Sequence, residues 1–172
     1  PSLSGGTGEI DSYVKFNIEE NSWDYGTLSR TAWTDQSVLG QPIGTTPTGI
    51  IYQHETSPDA DGGALLASYI TGWFVVSESR DFMFVDWLFP DMKWRYFGSS
   101  NTSASVQVTI ETTTTPNSPP TVFGPFTMND TKEFINLRMR GRLIRLTFSS
   151  SDVGTWWRAG NIRVRMNPDG RR

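Results

Sequence analysis

Ser103-Ala-Ser-Val-Gln-Val-Thr-Ile-Glu-Thr112 decides the fold class. On an extended chain Val106, Val108 and Ile110 fall on one side, and Gln107, Thr109 and Glu111 on the other. That is the period-two alternation of a half-buried β-strand. Similar segments lie on both sides of it. Downstream come Phe134-Ile-Asn-Leu-Arg-Met-Arg140, a break at Gly141, Arg142-Leu-Ile-Arg-Leu-Thr-Phe-Ser149 and Ile162-Arg-Val-Arg-Met166. Upstream are Gly49–His54, the apolar run Ala64–Val76 interrupted at Gly72, and Phe82–Phe89. Nine or ten short strands and no amphipathic helix are expected. Residues 36–172 therefore read as an antiparallel β-sandwich or jelly-roll-like domain. Thr113–Pro120 is a Pro/Thr/Ser loop, and loops such as 113–125 are where a contact surface is expected.

Ahead of this domain the chain has a different character. Residues 1–8 are linker-like. Ile10–Ile18 alternates as a strand, Glu19-Glu-Asn-Ser22 is a polar turn, and Trp23–Trp33 reads as a second strand. A strand pair with a Trp after its turn resembles part of a propeller blade, and no second copy follows. Residues 1–35 thus read as a blade-like strand pair or linker remnant of a larger β protein. Residues 34–48 serve as its boundary loop.

A chain of 172 residues suits one domain, or one domain with an attached remnant. It contains no cysteine, which excludes disulfides, thiolate zinc sites and cysteine nucleophiles. No apolar run approaches the roughly twenty residues of a membrane-spanning helix, so no membrane span is expected. Residues 1–100 hold 5 Lys+Arg against 13 Asp+Glu, and residues 101–172 hold 10 against 5. Such opposite charge favours either pairing within one fold or contact between copies.

Chemistry-bearing residues are few. His54 is the only histidine, and no nucleophile elbow or HExxH pattern surrounds it. No catalytic residue and no cofactor is expected. Asp59-Ala-Asp-Gly62 offers two close carboxylates, but an EF-hand would need an acid near Tyr69 or Ile70. A turn with Asp and Gly supplying its geometry is the simpler expectation. Arg138/Arg140 and Arg163/Arg165 are spaced to share strand faces. They form a candidate basic contact face, toward phosphates or an acidic neighbour, or else a solvated face paired with acids from the first part. Trp73, Trp87 and Trp94 lie in the apolar middle and are expected in the core. Trp156 and Trp157 are adjacent, so on a strand one is buried and the other is free for stacking or interface contact.

Several of these segments together resemble a known group. They are Tyr13-Val-Lys-Phe-Asn17, Trp23-Asp-Tyr-Gly26, Arg30-Thr-Ala-Trp33, Gly49-Ile-Ile-Tyr-Gln-His-Glu55, Asp59-Ala-Asp-Gly62, Gly154-Thr-Trp-Trp-Arg-Ala-Gly160 and Asn167-Pro-Asp-Gly-Arg-Arg172. The group is the C-terminal region of bacteriophage tail structural proteins: the tail hub and packaged-DNA stabilisation proteins of short-tailed phages, and the related tail nozzle proteins. Those proteins are much longer than this chain. The resemblance implies a non-enzymatic virion component of the phage tail. Its partners would be copies of itself in a ring and other tail proteins, with non-specific contact to packaged DNA. The alternative is a carbohydrate-binding β-sandwich for host-receptor recognition, using an exposed aromatic platform and a calcium ion at Asp59/Asp61. A glycan-cleaving enzyme ranks last, because it needs two converging carboxylates.

Overall fold

Alternation of apolar and polar side chains yields strands throughout, and no helix occurs among the described residues. The computed structural model describes residues 8–36, 38, 40–75, 81–96 and 104–170. Of the linker read over residues 1–8, residues 1–7 lie outside them, as do the terminal Arg171 and Arg172. Two units are present, Pro1–Ser57 and Pro58–Arg172.

The first unit holds β1 (Ser12–Asn17), β2 (Ser22–Thr27), β3 (Ala32–Thr34), β4 (Ile43–Thr45) and β5 (Ile51–Gln53). β1 and β2 form an antiparallel hairpin. Asn17 Oδ1 accepts the Glu19 and Glu20 amides across its turn. Strands β3, β4 and β5 form a separate sheet in that order. This sheet straddles residues 35 and 36, so the division between units falls at Ser57/Pro58 and not in the Thr/Pro/Gly-rich stretch. Ile43-Gly-Thr45 escapes a pattern search because three residues show no period.

The second unit holds β6 (Asp59–Ala60), β7 (Gly63–Ala64), β8 (Ala67–Ile70), β9 (Phe74–Val75), β10 (Met83–Phe89), β11 (Met92–Tyr96), β12 (Val106–Thr113), β13 (Thr121–Met128), β14 (Ile135–Gly141), β15 (Leu143–Ser150), β16 (Thr155–Ala159) and β17 (Arg163–Pro168). One sheet runs β13-β12-β15-β8, with β9 also on β15; another runs β14-β10-β17; β11 pairs with β16. All described pairings are antiparallel, and the architecture is an all-β sandwich. Its core is one cluster that includes Val106, Val108 and Ile110 of β12, Ile144, Leu146 and Phe148 of β15, Val85 and Leu88 of β10, and Ile135, Leu137 and Met139 of β14. Burying such side chains contributes about 1.5–3 kcal/mol each, which accounts for the strict alternation of these strands.

Among the described residues seventeen strands replace the expected nine or ten, because several extended segments are interrupted and because β4, β13 and β16 form where no strand was expected. Pro90 separates β10 from β11, and Gly160 follows β16 before β17 begins. The Gly160 amide donates to Asp91 O at 3.0 Å, tying the two kinks together. Residues 121–125, expected in a loop, open β13. Pro125 lacks an N–H, which an edge strand tolerates. The Pro125 position lies where the β12–β13 register shifts. At Gly141 the chain passes from β14 in one sheet to β15 in the other. A Cβ there would overlap the Thr112 hydroxyl oxygen.

The three tryptophans expected in the core divide. Trp94 packs against the core cluster. Trp87 instead shares a face with Asn136 and Arg165 and stacks on Phe89 at 5.6 Å. The register shift between Val85 and Trp87 is the cause, since one extra residue turns the following side chain outward. Trp73 is exposed, with the Arg145 guanidinium 4.7 Å above its ring.

Candidate interaction surfaces

The hairpin carries a bare apolar row on one face. Residues directly opposite share a face. Register pairs Val14 with Tyr25 and Phe16 with Trp23, so these four side chains line one side. Their relative exposures are 61%, 83%, 42% and 70% in the order Val14, Tyr25, Phe16, Trp23. The Phe16 and Trp23 rings touch at 4.6 Å. Lys15 and Asp24 face each other on the other side, where the Tyr13 ring lies over Gly26. An apolar row of this kind is expensive to leave in water, and a two-stranded hairpin alone is marginal.

The β3–β5 sheet holds a small polar–aromatic cluster. Trp33, Gly44 and Tyr52 are in register on one face. Arg30 lies over the Tyr52 ring at 4.6 Å and donates from Nε to His54 Nε2 at 3.0 Å. The Trp33 and His54 rings are 4.7 Å apart. Gly44 leaves room for this packing: a Cβ there would come within 2.9 Å of Arg30 Cδ. Accepting at Nε2 requires neutral His54 with its proton on Nδ1. Burial, with the Arg30 charge, holds its pKa below the ordinary histidine value, against a smaller opposing pull from Glu55. The histidine is therefore a structural acceptor. Its unfolded-state pKa, about 6.5, exceeds the folded one, so the unfolded chain binds more protons below that pH. The β3–β5 sheet should be fully stabilised above about pH 6.5 and lose stability as pH falls toward the folded-state pKa. Amide exchange in β4 at pH 7.5 and 5.5 checks this. His54→Asn should flatten the dependence, and an unchanged slope in the variant would assign it elsewhere.

Asp59 and Asp61 lie in a tight hairpin. Asp59 pairs with Ala64 and Ala60 with Gly63, leaving Asp61-Gly62 as the two-residue loop. Both loop residues have positive φ, 54° and 76°, as a type I′ turn requires. Asp59 Oδ1 accepts the Gly62 amide at 3.3 Å. Among the described residues no group of three or more His, Asp or Glu converges. An open groove of about 520 Å³ is lined by Phe126 and residues 131–136, and Glu133 is its single carboxylate. Retaining or inverting glycoside hydrolysis by paired carboxylates has no such pair there.

The four arginines of the candidate basic face sit on the two flanking strands of one sheet, Arg138 and Arg140 on β14, Arg163 and Arg165 on β17. Three of them are bound to carboxylates. Arg140 pairs with Asp169, Arg165 Nε with Asp86 at 2.8 Å, and Arg163 with Asp91 at 3.9 Å. The Arg165 hydrogen bond holds the Asp86 pKa below the usual carboxylate value. Arg140 and Arg163 also cover the Phe82 and Phe89 rings, each at 4.3 Å. Asp86 and Asp91 come from the acidic first part of the chain, so part of the charge asymmetry closes within the second unit. A fourth pair, Arg145 with Glu111, is bidentate at 2.6 and 2.8 Å and is joined to Trp73 by the cation–π contact.

Trp156 and Trp157 point to opposite sides of β16. Trp157 packs against the core, lies 6.4 Å from Phe148 and donates from Nε1 to Ser150 Oγ at 2.9 Å. Trp156 is 43% exposed. In register it faces Arg95, and Arg158 faces Lys93. These three cations around an exposed indole were missed from sequence. The signal was present as Lys93-Trp-Arg95 and Trp156-Trp-Arg158, each with its inner position taken by a core Trp. No helix among the described residues is long and apolar enough to cross a membrane. Compared with known proteins, the chain matches no family model and no curated sequence.

Proposed function

We propose that the chain is a structural module of a larger assembly and that it works by surface fit, without catalysis. The bare apolar face of the β1–β2 hairpin carries this proposal. Val14, Phe16, Trp23 and Tyr25 present a continuous row that a neighbouring strand or hairpin can cover. Each such side chain gains about 1.5–3 kcal/mol on full burial, enough in sum to drive subunit association. The occupant is a second copy or an adjacent β element of the same assembly. The sequence resemblance narrows the assembly to a bacteriophage tail. There the module would belong to a hub, tube or nozzle subunit in a ring around the DNA exit channel, with other tail proteins as neighbours and packaged DNA as a non-specific contact.

Velocity sedimentation of the intact protein tests the proposal. The Trp23→Ser/Tyr25→Ser variant should shift the assembled species toward monomer by at least tenfold in dissociation constant, the equivalent of ~1.4 kcal/mol. Both side chains are exposed, so the sandwich should remain folded. A protein that is monomeric at every concentration, with or without the substitutions and its tail partners, would refute it.

A further inference from the structure

The β11–β16 ribbon has an outer face that the assembly role does not use. Met92 and Trp94 of β11 and Trp157 of β16 pack inward on the core. Alternation sends Lys93, Arg95, Trp156 and Arg158 outward, and all four are exposed. Elsewhere in this unit Arg140, Arg145, Arg163 and Arg165 are each matched by a carboxylate. Among the described residues no carboxylate lies within ion-pair distance of Lys93 or Arg158. Two cations paired across the ribbon, with no carboxylate partner among the described residues, sit one alternate step along from a bare indole, and a third cation lies opposite that indole. A ligand that satisfies this face needs a negative charge and a flat apolar surface side by side.

The dimensions limit which ligand. Opposed residues are about 5 Å apart between strands, and alternate residues about 7 Å apart along them. The face spans two strands and one alternate-residue step, the size of a single ring. Among the described residues Trp156 is the one aromatic side chain on it. A single-stranded nucleic acid tract would use successive stacking rings along a groove, and among the described residues this face offers no second ring. A pyranose presents its C–H face to an indole and its carboxylate to a neighbouring cation. We propose that this face binds an acidic sugar, a uronate ring stacked on Trp156 with its carboxylate held by Lys93 and Arg158. This site is separate from the hairpin and does not depend on the assembly proposal.

Isothermal titration of the intact protein with tetragalacturonate, maltotetraose and an oligothymidylate tests it. Tetragalacturonate should bind at least tenfold tighter than maltotetraose or the oligothymidylate. Trp156→Ala should weaken it about tenfold, a loss of ~1.4 kcal/mol, and Trp156→Phe should restore much of it. Lys93→Gln/Arg158→Gln should remove the preference over maltotetraose, and serves as the second route if Trp156→Ala misfolds. Absent tetragalacturonate binding, equal maltotetraose binding, or binding indifferent to both variants would overturn the proposal. Tighter oligothymidylate binding would overturn it in favour of a nucleic-acid contact.

Discussion

Phe148→Ala should lower the stability of the Pro58–Arg172 unit by about 3–5 kcal/mol, the usual cost of emptying a large aromatic site in a close-packed core. Phe148 is fully buried in the middle of β15. It is opposite Val108 on β12 and Tyr69 on β8, and its ring neighbours are Tyr69 at 6.2 Å and Trp157 at 6.4 Å. It therefore joins the five-stranded sheet to the ribbon that carries Trp157. Urea unfolding followed by near-ultraviolet circular dichroism gives the value. A loss below about 1 kcal/mol, well short of a core truncation, would mean that the sheets do not close on this residue.

Gly141→Ala should also destabilise, by about 1–3 kcal/mol for forced overpacking. The added methyl meets the Thr112 side chain, whose hydroxyl donates to Leu143 O at 3.1 Å. Relief by rotating Thr112 sacrifices that bond, worth about 1 kcal/mol. Thr112→Ala alone should therefore destabilise, while Gly141→Ala/Thr112→Ala should cost less than the two single changes together. Equilibrium unfolding of the four proteins measures the coupling. Strict additivity would show that the crossing at Gly141 is not limited by Thr112.

The strands legible in sequence are those whose two faces differ. β12 as far as Thr112, β14 and β15 alternate without interruption, and Val106, Val108, Ile110, Ile135, Leu137, Met139, Ile144, Leu146 and Phe148 are all buried. Three kinds of element were hidden. β4 and β9 are too short to show a period. β13 contains Gly124-Pro125, which by composition signals a turn. In β10 a register shift reverses the facing of Trp87, and one sequence does not reveal that slip. The surfaces follow the same division. Period two correctly separated Trp156 from Trp157 and placed the arginine pairs on common faces. Pairing decided the rest: it brought Asp86, Asp91 and Asp169 to three of those arginines and, among the described residues, left Lys93 and Arg158 without a carboxylate. Which acid meets which base depends on strand register, which spacing along the chain does not encode.

The hairpin face is the element on which the structural role stands, so its solvent contact is the quantity to measure. Hydrogen–deuterium exchange of β1 and β2 should be recorded in the assembled particle and in dilute isolated chain. Amides from Ser12 to Thr27 should exchange rapidly in the isolated chain and become strongly protected on assembly, with the Trp23→Ser/Tyr25→Ser protein failing to gain protection. Equal exchange of this hairpin in both states would contradict the role assigned to it.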